Sequence, residues 1–181
     1  MTKKIMVLNG SPRATGNTAA LIQSFSEGAI AAGHQVTCFH LQSMDIHPCL
    51  GCCGGGKNPD SPCVQKDDMS SIYPVYREAD IIVLASPLYY WNISGQLKCA
   101  FDRLFAVAEC NEDLANPVKD CVLLMAAEGF GFDETVNWYD RLMTHLHWTD
   151  RGKVLCGGVF NVGDIENNEK LKDAYDLGRS L

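Results

Sequence analysis

Ile5-Met6-Val7-Leu8-Asn9-Gly10-Ser11-Pro12-Arg13-Ala14-Thr15-Gly16-Asn17-Thr18 sets an apolar run, a tight hydroxyl-rich turn and the start of a helical pattern in direct succession. A buried strand turning straight into a helix gathers backbone N–H groups at the helix's positive end, which forms a cradle for a phosphate. The details of the turn exclude two common nucleotide chemistries. A P-loop needs four residues between its glycines, then Lys and Ser/Thr. Here five residues separate Gly10 from Gly16, and Asn17 holds the lysine position. A dinucleotide fingerprint needs its second glycine where Pro12 stands. What remains suits one terminal phosphate, such as that of flavin mononucleotide, held by Ser11, Arg13, Asn17, Thr18 and backbone N–H groups. An ordinary strand-to-helix turn with a Ser/Asn cap satisfies the same residues.

Working outward, strand-like and helix-like segments alternate. Residues 3–9 read as a strand, and 17–32 as a helix with Leu21, Ile22, Phe25, Ala29 and Ala32 on one face. Residues 35–39 read as a second strand, and 67–78 as a helix capped by Asp67 or Asp68. The continuous apolar run 80–85 reads as a central parallel strand covered on both faces. A helix follows over 94–106, a strand over 120–126, a helix over 133–148, a glycine-interrupted strand over 154–162 and a polar helix over 167–179. Five strands alternating with five helices predict a three-layer α/β fold with a parallel sheet, forming one domain over residues 1–181. Right-handed crossovers place loops 10–18, 86–93 and 127–132 at the carboxyl edge of that sheet, where open α/β sheets bind ligands.

The second of these loops, Ser86-Pro87-Leu88-Tyr89-Tyr90-Trp91-Asn92-Ile93-Ser94-Gly95, carries three consecutive aromatics. They suit a platform for a flat, partly apolar ring, with backbone N–H groups near Tyr90 to Asn92 facing its polar edge. Packing against loop 127–132 or a partner subunit explains the same aromatics.

Composition narrows the function. The chain has 181 residues, 46% hydrophobic content and a net charge of −7 from 22 acidic and 15 Lys/Arg residues, which argues against nucleic acid as a partner. No apolar run reaches the roughly 18–20 residues that cross a bilayer, and Met1-Thr2-Lys3-Lys4 carries no signal-peptide core. A soluble cytoplasmic protein without a membrane partner is expected. No serine sits in a Gly-x-Ser-x-Gly elbow, and the five histidines lack zinc-protease spacing. Asp102-Arg103 reads as a structural ion pair. Of the nine cysteines, Cys38, Cys99, Cys121 and Cys156 lie in apolar patterns and read as core, as does Cys110.

The segments GSPRATGNT, SPLYYWNISGQLKCAFDR and DDMSSIYPVYREADIIVLASP together resemble the NAD(P)H-dependent FMN reductase family, on its branch near the iron–sulfur flavoproteins. The resemblance covers residues 3–106 by motif and the remainder by element order. It implies a flavodoxin-like fold with strand order 2-1-3-4-5, bound FMN, NADH or NADPH as co-substrate, and a homodimer or homotetramer. Carried over, Ser11, Arg13, Asn17 and Thr18 hold the phosphate. Pro87, Leu88, Tyr89, Tyr90, Trp91 and Asn92 line the isoalloxazine, with Ala127, Glu128 and Gly129 beside it. The implied reaction moves a hydride from nicotinamide to flavin N5 and electrons onward to a small molecule: a quinone, a nitro compound, a flavin or a metal ion. No protein side chain is needed for acid–base work. A flavodoxin-type electron carrier and an iron–sulfur flavoprotein relaying single electrons are the alternatives.

The iron–sulfur branch resembles C-x2-C-x2-C-x4–7-C in the loop after the second strand. Cys49, Cys52 and Cys63 fall on its first, second and fourth positions, but Gly55 holds the third and Cys53 directly follows Cys52. A four-iron cluster takes four thiolates, so the loop reads as a cluster-free group of thiols. A cluster or a zinc ion on Cys49, Cys52, Cys53 and Cys63 is the alternative.

Overall fold

In the computed structural model, which describes residues 1–181, five parallel strands form one sheet in the order β2-β1-β3-β4-β5. The strands are β1 (Lys4–Asn9), β2 (Gln35–His40), β3 (Ile81–Pro87), β4 (Asp120–Ala126) and β5 (Thr149–Cys156). The helices are α1 (Asn17–Ala31), α2 (Met69–Glu78), α3 (Gly95–Arg103), α4 (Phe105–Ala108), α5 (Asp133–Leu146) and α6 (Glu169–Arg179).

Successive strand residues point to opposite faces, and the three central strands are apolar at both parities, so each supplies two cores. Met6, Leu8, Ile82, Leu84, Cys121, Leu123 and Met125 enter one, packed under α2, α3 and α5 through Ile72, Tyr76, Leu97, Tyr139 and Met143. Ile5, Val7, Ile81, Val83, Val122 and Leu124 enter the other, under α1 and α6 through Leu21, Phe25 and Ala174. Each fully buried aliphatic side chain contributes about 1.5–3 kcal/mol. Two glycines let α1 and α6 touch backbone to backbone. A Cβ on Gly28 would lie 2.0 Å from the Tyr175 carbonyl oxygen, and one on Gly178 would lie 2.1 Å from that of Phe25.

The architecture agrees with the sequence reading; several local assignments differ. The fifth strand is residues 149–156 rather than 154–162. As an edge strand it tolerates the polar Thr149-Asp150-Arg151, and Gly158 ends the extended run with a φ of +77°. The helix predicted over 94–106 turns at Leu104 into the separate α4, giving six helices. Cys38 is exposed because β2 is the other edge strand, and Cys99 and Cys110 are half-buried; Cys121 and Cys156 are core. Ala32, the C-cap of α1, is exposed. Burial pushes the Cys121 thiol up to about 12.

Asp102 and Arg103 do not pair with each other. Asp102 meets Lys98 at 2.6 Å, one helical turn away. Arg103, 1% exposed, forks onto Asp67 at 2.6 and 3.1 Å and donates to the His47 carbonyl at 2.8 Å. This fork staples both ends of the cysteine loop, since Asp67 also accepts the His47 N–H at 3.1 Å. Burial alone would raise the Asp67 carboxyl, but the Arg103 and His47 hydrogen bonds outweigh it and hold it below the usual range.

Candidate functional site

The carboxyl ends of β1, β3, β4 and β5 open into one cleft of about 660 Å³, its open mouth included. Loop 10–18 forms its floor at one end. Ser11, Asn17 and Thr18 are buried there, and the Ser11 hydroxyl closes a small turn with the N–H and carbonyl of Arg13, both at 3.1 Å. No side chain caps α1. The N–H groups of Ala14, Thr15, Gly16, Asn17, Thr18 and Ala19 donate to no backbone carbonyl. A long helix with an uncapped positive end and a row of unpaired donors is suited to an anion. The buried Asn17 Oδ1 also lacks a partner, an acceptor that a polyol hydroxyl satisfies. A terminal phosphate on a ribityl chain fits both features.

Pro87, Leu88 and Tyr89 form one wall, and Ala126, Ala127 and Glu128 the opposite one. The Leu88 N–H donates to the Ala126 carbonyl at 3.0 Å and ties the walls at their base. Tyr90, Trp91, Asn92 and Gly129 stand outside this lining. Tyr89 and Asn92 exchange backbone hydrogen bonds at 2.9 and 3.1 Å, closing a tight turn whose central residues, Tyr90 and Trp91, have φ of +47° and +59°. Both central positions are left-handed, which glycine or asparagine normally fills. The turn takes up the Asn92 N–H and leaves those of Tyr90 and Trp91 without a carbonyl partner. Thr135 on α5 anchors it by donating to the Trp91 carbonyl at 2.6 Å. Tyr90 is 94% exposed and Trp91 58%.

Several positioning residues were not singled out in the sequence. The Ser94 hydroxyl caps α3 by accepting the Leu97 N–H at 3.2 Å, and it donates to the Gly10 carbonyl at 2.7 Å. Ser86 accepts the Ser94 N–H at 2.8 Å. Loops 10–18 and 86–93 are thus locked together through two fully buried serines. His40 Nε2 lies 3.0 Å from the Ser11 carbonyl and supports loop 10–18 from β2. Val159 and Phe160, expected within a strand, lie after β5 and line the cleft. Arg13 Nη1 donates to the Phe160 carbonyl and Asn17 Nδ2 to that of Asn161, each at 2.9 Å. The one signal for this wall was the Gly157-Gly158 pair, which breaks the apolar run.

Cys49, Cys52, Cys53 and Cys63 line a separate small cavity against α3 and α4. The chain does not present a four-thiolate cage there. A Cβ on Gly55, at the third ligand position, would lie 2.2 Å from Glu109 Oε2 and 2.8 Å from the Pro62 carbonyl oxygen. Gly56 is pressed still closer, its Cβ position 2.1 Å from the Glu109 carbonyl. Cys53 Sγ turns back toward the Gly51 carbonyl at 3.9 Å. No three Cys, His or carboxylate side chains converge at metal-binding distance. These residues do not fit a four-iron cluster.

Comparison with known proteins identifies the family and the fold. An iron–sulfur flavoprotein of Methanosarcina thermophila is 31% identical over 96% of this chain and 87% of its own length. Another, from Archaeoglobus fulgidus, is 29% identical over 98% and 78%. The NAD(P)H:quinone oxidoreductase of Methanothermobacter marburgensis superposes with a TM-score of 0.74 at 19% identity, covering 99% of this chain and 96% of that one. The likeness establishes the flavodoxin-like fold. The family profile described as NADPH-dependent FMN reductase matches residues 3–165. By this match over most of its length, the chain belongs to the NADPH-dependent FMN reductase family, flavin-dependent oxidoreductases that bind FMN.

Proposed function

We propose that this chain is a flavin-only NAD(P)H oxidoreductase that reduces a small acceptor, with a quinone, a nitro compound, free flavin or a metal ion as the candidates. When bound, FMN supplies the redox chemistry, accepting a hydride at N5 from the nicotinamide and passing its electrons onward. The protein's share is position and electrostatics. The N–H groups of Ala14 to Ala19, with Ser11 and Thr18, hold the phosphate. Leu88 and Tyr89 on one side and Ala127 and Glu128 on the other hold the ring. The small side chains of Ala126 and Ala127 leave width for it.

The observation that carries this reading is the union of an anion site and an apolar slot in one cleft whose rim is open and aromatic. Tyr89 and Phe160 line it and are exposed, which favours stacking of a second flat molecule over burial of the flavin. No helix is long and apolar enough to cross a membrane, and the partners are taken to be small molecules met in the cytoplasm. A homodimer or homotetramer is the proposed working form.

The Gly55–Glu109 contact favours this reading over a single-electron iron–sulfur relay. The deciding experiment combines FMN titration, NADH and NADPH oxidation with a panel of acceptors, and iron and labile-sulfide analysis of anaerobically prepared protein. Turnover by iron-free, FMN-loaded protein is the expected result. Bound FMN without turnover would make the chain a flavodoxin-type carrier, and about four irons per chain would make it a cluster protein.

A further inference from the structure

Arg13 and Asn17 do not simply reach into the cleft. Both bridge the head of α1 to the turn that follows β5, through the carbonyls of Phe160 and Asn161. That turn is held in shape by Asp164, whose Oδ2 accepts the Phe160 N–H at 2.9 Å and the Asn161 N–H at 2.7 Å. The Phe160 and Asn161 N–H groups hold the Asp164 carboxyl below its usual range. The Phe160 carbonyl and the Asn161 N–H belong to one planar trans unit and point in opposite directions. Capture of that N–H by Asp164 therefore aims the carbonyl at Arg13.

Two carbonyl oxygens facing a phosphate site would repel a dianion if they stood alone. They do not. Arg13 carries five donors and commits Nη1 to Phe160, while Asn17 Nδ2 has two hydrogens and commits one to Asn161. Each side chain retains donors for the phosphate while gripping the wall behind it. Phe160 lines the cleft beside Arg13, so the turn stands as the wall next to the phosphate end.

We propose that the 159–164 turn, held by Asp164 and clasped by Arg13 and Asn17, is the specificity element that admits a flavin ending in a single phosphate and rejects one that continues through a pyrophosphate, FAD above all. The proposal rests on FMN being the cofactor. Asp164 acts only through the turn: it is a positioning residue, and its loss loosens the wall without removing a phosphate donor.

The test is equilibrium and stopped-flow titration of flavin-stripped wild-type, Asp164→Ala and Asp164→Gly proteins with FMN, FAD and riboflavin, read by flavin fluorescence. Circular dichroism confirms folding, and Asp164→Gly, which likewise offers no side-chain acceptor to the Phe160 and Asn161 N–H groups, substitutes for the alanine variant should that fail to fold. Wild type is expected to prefer FMN over FAD strongly. In Asp164→Ala, FMN affinity should fall about tenfold, mainly through faster dissociation, and the preference over FAD should shrink. Riboflavin, which has no phosphate, should bind the variants as it binds wild type. Equal wild-type affinity for FMN and FAD, or an unchanged preference in the folded variants, overturns the proposal. Failure of wild type to bind any flavin overturns the cofactor assignment and the proposal with it.

Discussion

Arg103 and Asp67 meet as a two-pronged pair, Nη1 on Oδ2 at 2.6 Å and Nη2 on Oδ1 at 3.1 Å, with 1% and 0% of their side chains exposed. The pair joins α3 to the base of the cysteine loop, and the His47 carbonyl completes it. Arg103→Ala would strand a buried carboxylate, and a loss of about 3–5 kcal/mol is expected. Urea unfolding of the variant measures it. A change below about 1 kcal/mol would mean that water relieves the site.

The same pair sets an acid limit. Asp67 titrates below its unfolded value of about 3.9. Its contribution is therefore complete above that pH and is lost as pH falls through the lower folded value. In urea melts between pH 7 and 3, wild type should lose stability on the acid side more steeply than Asp67→Asn, which is weaker at neutral pH and flatter.

Ser94→Ala removes a helix cap and an inter-loop bond in one step. Leaving the Leu97 N–H and the Gly10 carbonyl unpaired should cost about 1–2 kcal/mol. FMN affinity should fall in parallel, because loops 10–18 and 86–93 lose their common tie. A lower melting temperature with unchanged FMN affinity would confine Ser94 to a capping role.

Tyr90 is 94% exposed in a left-handed conformation. A bulky residue there carries strain on the order of 1 kcal/mol that glycine does not. Tyr90→Gly is expected to raise the melting temperature slightly while lowering kcat/KM for the nicotinamide or the acceptor, a trade of stability for function. Equal or better turnover would leave the aromatic rim without a part in catalysis.

Gly55→Cys restores the cysteine spacing of a four-iron motif but forces a side chain against the Pro62 carbonyl and Glu109. The variant should melt lower than wild type and take up no iron in anaerobic reconstitution. Stoichiometric iron and sulfide in the single variant would show that the loop opens easily.

Periodicity carried the architecture. The double parity of Ile81 to Ala85 could be satisfied only by a strand with a helix layer on each face, and the Gly10–Thr18 turn could only join such a strand to a helix. Short-range patterns record those facts, because burial and backbone conformation act over a few residues. The convergence of loops at one sheet edge followed from the hand of the crossovers.

Contacts between distant residues were settled only in three dimensions. Arg103 chose Asp67, 36 positions away, over its neighbour Asp102, because a helix points adjacent side chains in different directions and only Arg103 faced the buried carboxylate. Arg13 found Phe160 147 positions away, where no local pattern marks either partner. The extent of β5, the wall after it and the Gly55–Glu109 approach likewise depend on which backbones the packed cores bring together. Short-range patterns do not make that choice legible; the packing of the sheet against its helices makes it.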